Sequence, residues 1–220
     1  MAPERAAALP VLALAALGCA ALASTVLGCR PSASVAAETA HAWAAGPARW
    51  LILPDDERAL GQVETNTDFG SFLARFWDCR DEDPKDDDNP FARLFAERVA
   101  AADRLYEEPG IRGSLTPRGR ALLLLGPPRF LRYSQRRTPT LEGSTAAGAR
   151  PTKLLRVEIW GYQPRDLPPA LAALVGADPQ SEQELAITFL VSGRHTRLLE
   201  GQELLDLAAR AASRCAGERE

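Results

Sequence analysis

The stretch TDFGSFLARFWD, residues 67–78, decides how the chain is read. Phe69, Phe72, Leu73, Phe76 and Trp77 fall at i, i+3, i+4, i+7 and i+8, one apolar stripe on a 3.6-residue period. The segment therefore predicts an amphipathic helix, with Thr67 or Asp68 as its cap. Nothing polar converges on these rings, so the stripe reads as core rather than as a ligand groove. Downstream, Asn89-Pro90 supplies a cap followed by proline at the first helical position. Phe91, Phe95, Val99, Ala102 and Tyr106 then mark a second buried stripe that ends before Pro109-Gly110. Together the two segments predict a helical hairpin. Upstream, Pro54-Asp55-Asp56-Glu57 opens a shorter helix, with acids at the positive end of its dipole, extending to about Val63.

The second half changes period. Arg118-Gly119-Arg120 leads into Ala121-Leu122-Leu123-Leu124-Leu125, a short continuous apolar run stopped by Gly126-Pro127-Pro128, which predicts a buried strand and a tight turn. Phe130 to Tyr133 follows as a second extended segment, and residues 134–153 read as a mobile polar insertion. From Leu155 to Tyr162 the residues alternate as a strand, with Leu155, Val157, Ile159 and Gly161 on one face and Arg156, Glu158, Trp160 and Tyr162 on the other. Residues 185–191 predict another strand, turned by Ser192-Gly193-Arg194 into residues 195–199. A last helix is expected from about Gln202, with Leu204, Ala208, Ala211 and Cys215 on one side. The expected class is α+β: an N-terminal helical hairpin packed on a small, mainly antiparallel sheet, with a C-terminal helix.

The N-terminus carries an address. A short charged segment containing Glu4 and Arg5 precedes an uncharged apolar run over residues 6–28 that ends in Val26-Leu27-Gly28-Cys29. Such a charged start, apolar stretch and small residue before the cut predict an export signal. A cysteine directly after the small residue resembles the lipobox of bacterial lipoproteins, in which the thiol is acylated and the leader removed. Cys29 is thus the expected lipidation site, and residues 1–28 the expected signal. The apolar run also reaches the length of about 20 residues that spans a bilayer, so an uncleaved anchor is the alternative. Residues 29–48, rich in Ala, Ser, Pro and Gly, read as a lipidated cysteine and flexible tether, and residues 49–220 as one domain.

The formal net charge of −3, with no basic block, argues against a nucleic-acid partner. Cys79 and Cys215 each sit on a predicted helix, where a buried free thiol is the expectation and a disulfide the alternative. Asp81, Asp83, Asp86 and Asp88 form the densest polar cluster. Calcium takes six to eight oxygens, but the run lacks the sharp-turn glycine and closing glutamate of an EF-hand loop, so a solvated loop is expected and calcium is the alternative.

The order of these blocks resembles the bacterial GWxTD domain over roughly residues 49–200. FLARFWDCRDEDP, NPFARLFAERVAAADRLY, GSLTPRGRALLLLGPP and VEIWGYQ carry the resemblance, with RGR…LLGPP and EIW the most specific. At the signature itself the chain reads Gly113-Ser114-Leu115-Thr116-Pro117, so the family's Trp and Asp are replaced, as in a divergent member. The resemblance implies an exported protein and supports the fold; it implies no reaction.

Enzymatic patterns are sparse. The histidines are His41, in the expected tether, and His195, in a hairpin turn. There is no GxSxG, HExxH, CxxC or Walker motif. Gly126-Pro127-Pro128 lacks the N–H donors that a phosphate loop needs. Glu158, beside Arg156 or Arg120, is expected as a buried structural ion pair. No catalytic residue and no cofactor are assigned. The expected function is a membrane-tethered lipoprotein facing the periplasm, with a non-catalytic interaction or assembly domain for an unknown envelope protein. The rival is an unusual envelope hydrolase or carbohydrate-active enzyme, and the two are told apart by an exposed apolar patch or strand edge against a deep polar pocket.

Overall fold

The computed structural model describes residues 32–137, 154–178 and 180–215. Helix α1 (Ser32–Ala44) replaces most of the expected tether. Its alanines favour helix intrinsically, and Ala36 and Ala40 are buried. Their small size brings the backbone close to the core, and Trp43 packs edge-on against Phe69, Phe72 and Phe76. The Ala-rich composition that reads as a linker is here a packing surface.

Helices α2 (Pro54–Leu60), α3 (Asn66–Asp78) and α4 (Pro90–Leu105) form where expected, with two shifts: α2 stops at Leu60, short of the expected Val63, and the cap of α3 moves. The cap of α3 is Thr65, whose hydroxyl accepts from the Asp68 N–H while the Asp68 carboxylate accepts from the Thr65 N–H at 2.8 Å. Asp68 thus acts from the third helical position, as a capping box requires, rather than as the cap. Phe72 and Phe76 are buried, and Trp77 meets Phe95 of α4 at 5.9 Å between ring centroids. Buried Arg80 fastens α3 to what precedes it. Its guanidinium donates to the carbonyls of Phe76 (2.7 Å) and Leu51 (2.6 Å) and to Asp56 Oδ2 (2.9 Å), and lies 3.7 Å from the Phe76 ring centroid.

The run expected as a strand is helix α5 (Pro117–Leu125). Thr116 caps it, accepting from the Gly119 N–H at 3.1 Å and donating to the Gly113 carbonyl at 2.7 Å, and Pro117 sits at the first helical position. Residues 121–125 are all buried. A helical run buried on every side lies in the middle of the core and loses the periodic contrast that announces a surface helix.

Strands β1 (Phe130–Arg137), β2 (Leu154–Tyr162), β3 (Leu185–Ser192) and β4 (His195–Glu200) form one antiparallel sheet in the order β1-β2-β3-β4. Strand β1 takes in residues 134–137 of the expected insertion, and residues 138–153 lie outside the described set. The turn into β4 places Gly193 at φ 63°, the left-handed region that glycine enters without strain. A short helix not anticipated from sequence, α6 (Pro169–Leu174), and the C-terminal α7 (Gln202–Ala211) complete an α+β fold. On β2 Glu158, Trp160 and Tyr162 are buried on one face and Val157 and Gly161 on the other, and Trp160 pairs across to Ile187. Helix α5 packs on β3 and β4, so the helical layer covers one side of the sheet and leaves β1 beyond it.

Cys79 and Cys215 form a disulfide, contrary to the expected free thiols. Both lie off the helix bodies that sequence assigned them: Cys79 caps the end of α3 and Cys215 follows the end of α7. Arg214 reinforces the junction, its N–H donating to the Cys79 carbonyl at 2.7 Å and its guanidinium to the Asp81 carbonyl at 2.9 Å.

Candidate functional site

The buried carboxylate singled out by sequence does sit among cations. Glu158 Oε1 accepts from the Trp160 indole at 2.7 Å, and its Oε2 lies 3.7 Å from both Arg118 and Arg156. The partner is Arg118 rather than Arg120. On a strand, residues 118 and 120 would share a face; on α5 they point about 200° apart, so one meets the sheet and the other leaves it. Arg120 instead reaches α7, donating to Asp206 at 2.6 Å and Gln202 at 2.9 Å.

Two tyrosines complete the cluster. Arg118 lies 5.1 Å from the Tyr106 ring centroid, and Arg156 lies 5.2 Å from that of Tyr133. Burial raises the Tyr106 pKa above its usual value, and the nearby Glu158 charge adds to the rise. Glu158 is thus hydrogen-bonded to an indole and lies between two guanidiniums, while the Arg118 Nε is buried without a hydrogen-bond partner. Next to it the surface opens. Tyr133 pairs with Glu158 and Leu131 with Trp160 across β1 and β2, so these side chains share the face of Glu158 and Trp160, yet Tyr133 is 57% and Leu131 48% exposed. Phe130 on the other face is 41% exposed. Residues 129–136 are exposed throughout, and among the described residues no strand pairs with the outer edge of β1. Arg132 is held by Glu184 at 2.8 Å, which steadies the strand without covering it.

The other expected sites separate. Cys29 and residues 6–28 lie outside the described residues. Asp81, Asp83, Asp86 and Asp88 do not converge. Asp81 Oδ1 accepts from the Asp83 N–H, Asp83 from the Lys85 N–H and Asp86 from the Asp88 N–H, while Asp88 pairs with Arg93. Each carboxylate folds back on its own turn or a neighbouring helix, and among the described residues no group of three or more His, Cys, Asp or Glu side chains is placed to hold a metal. His41 lies on α1. His195 Nδ1 is 3.5 Å from Glu108 Oε2, and the other oxygen of buried Glu108 accepts from the Thr196 N–H at 3.0 Å. Sequence reasoning passed over Glu108, which sits among polar neighbours and pairs only through the fold.

The segment Gly113–Pro117 is a packing junction. A Cβ on Gly113 would come 1.9 Å from the Ala102 carbonyl oxygen, and one on Gly119 would come 1.9 Å from that of Gly113. Ser114 is buried, its N–H donating to Asp103 at 2.8 Å and its carbonyl accepting from Trp50 Nε1 at 2.9 Å. Burial tends to raise the Asp103 pKa, but the hydrogen bonds from Ser114 and the pairing with Arg112 outweigh it and hold the carboxyl below its usual value. Among known proteins, no family, no curated protein and no solved structure matches this chain.

Proposed function

We propose that this chain is an exported lipoprotein, acylated at Cys29, whose domain is a non-catalytic interaction module of the bacterial envelope. The observation that carries the reading is the open edge of β1, an exposed strand with Phe130, Leu131 and Tyr133 on its surface. A sheet edge offers a row of backbone donors and acceptors to an extended segment of a partner, and flanking apolar side chains set the register. The disulfide supports the export part, since such bonds persist in oxidising compartments. The resemblance to the GWxTD domain points the same way.

A photoreactive residue at exposed Gln135, introduced into the full chain in its native envelope, tests the edge. A single adduct of defined mass is expected from Gln135 and none from Glu203 on α7. Equal labelling at both positions, or none at Gln135, would remove β1 as the docking edge. Lipid labelling that persists in Cys29→Ala would separately remove the anchor.

A further inference from the structure

We infer that the groove beside Trp50 binds an oxyanion, a phosphate or carboxylate carried on a partly apolar molecule. The site lies apart from the β1 edge and does not depend on how that edge is used. The groove is an open concavity of about 440 Å³, with Arg49, Trp50, Ile52, Arg120, Asp206 and Arg210 in its lining. Arg49 comes from the 3₁₀ turn Pro47–Trp50, Arg120 from α5, and Asp206 and Arg210 from successive turns of α7.

Trp50 is a fixed platform. Its indole is tied to the Ser114 carbonyl, and the guanidinium carbons of Arg49 and Arg120 lie 4.9 and 5.0 Å from its ring centroid. The lining holds one carboxylate against these guanidiniums, and it is already engaged. Asp206 accepts from Arg120 and from the Gln202 amide at 2.9 and 3.0 Å. Arg49 and Arg210 are exposed and make no ion pair with any described residue. Two uncompensated positive charges therefore converge on one concavity in a chain whose net charge is −3. A concave wall focuses their field, and the planar guanidinium fork matches the oxygens of phosphate and carboxylate. Ile52 and the Trp50 ring give the same groove an apolar side, which selects a ligand with a hydrocarbon or aromatic body over a bare ion.

The Trp50 indole N–H signal in NMR spectra of the full chain reads the site directly. Three probes are titrated: hexyl phosphate, inorganic phosphate, and vesicles of phosphatidylglycerol against phosphatidylcholine. A saturable shift is expected with hexyl phosphate, tighter than with inorganic phosphate. In the double variant Arg49→Gln/Arg210→Gln the affinity should fall by about tenfold or more, the scale of one lost charge-assisted contact. Arg104→Gln, an exposed change on α4, should leave it unaltered. A response to the soluble phosphates assigns a free anion, and a response confined to phosphatidylglycerol assigns a lipid headgroup; either supports the site when the double variant loses it. No saturable shift with any probe, or a shift that the double variant keeps, overturns the proposal. Both substituted side chains are exposed, so a melting temperature equal to the parent's confirms that the variant is folded.

Discussion

Tyr106 couples the buried network to alkaline pH. Its ring lies against Arg118, and burial together with the Glu158 charge lifts its pKa above the ordinary value of 10.0. An acid whose folded pKa is raised holds its proton more tightly when folded, so its contribution is whole below pH 10 and fades as pH climbs through the raised value. Tyr162, buried with its hydroxyl donating to the Gly126 carbonyl, acts in the same direction. The parent should therefore lose stability above about pH 10, and Tyr106→Phe should lose less of it, because one of the two protons is no longer at stake. Urea midpoints measured at about pH 9 and pH 11 check this; equal falls in parent and variant would mean that the Tyr106 hydroxyl ionises as freely folded as unfolded. At this scale Glu158 was legible in the sequence, as a carboxylate on an alternating strand beside Arg156. Which arginine met it from outside the strand was not. That choice turns on whether residues 118–120 coil or extend, and two residues of spacing mean opposite things in the two cases.

Helix α5 shows why. Its five consecutive apolar residues are buried on every side, so neither a period of two nor one of 3.6 stands out. The informative signals were at its start, where Thr116-Pro117 caps it, and in Gly119, read from sequence only as part of an RGR run. The structure gives that glycine a steric role: there is no room for a methyl group between α5 and the turn Gly113–Leu115. Gly119→Ala gains helix propensity, about 1 kcal/mol in an open helix, yet drives a carbon to 1.9 Å from a backbone oxygen that cannot swing away. The clash should win, giving a net loss of about 1–3 kcal/mol, the range for overpacking a core. Gly70, on α3 with open space around its Cβ position, is the internal comparison, and Gly70→Ala should stabilise by up to about 1 kcal/mol. Chemical denaturation of both variants decides it: a neutral or stabilising Gly119→Ala would show that the junction has slack. The same element-level reading explains α1, where alanine appears as linker in composition and as close packing in three dimensions.

Across the whole molecule, the disulfide joins positions 136 residues apart and closes a ring that contains α4, α5, the sheet and α7. No local pattern foretells such a pairing, because it depends on the end of the chain returning to the end of α3. In the sequence nothing local links the two cysteines. Once the fold brings them together, the bond acts chiefly on the unfolded chain, and a loop of this length corresponds to roughly 4–5 kcal/mol of lost chain entropy. Domains of this kind have about 5–15 kcal/mol of stability in all, so the cross-link is a large share. Its surroundings add to it: Arg214 binds the Cys79 and Asp81 carbonyls, which also pins the start of the acidic loop. Cys79→Ala/Cys215→Ala should lower the unfolding free energy by about 2–5 kcal/mol, and reducing the parent should reproduce most of that loss without any substitution. Because the helical core and the sheet close without the bond, the variant should still fold at room temperature and keep its far-ultraviolet spectrum. Urea unfolding of the parent with and without dithiothreitol is the measurement. A midpoint indifferent to reductant would mean that the two thiols do not pair in solution, and would withdraw the strongest structural support for an oxidising compartment.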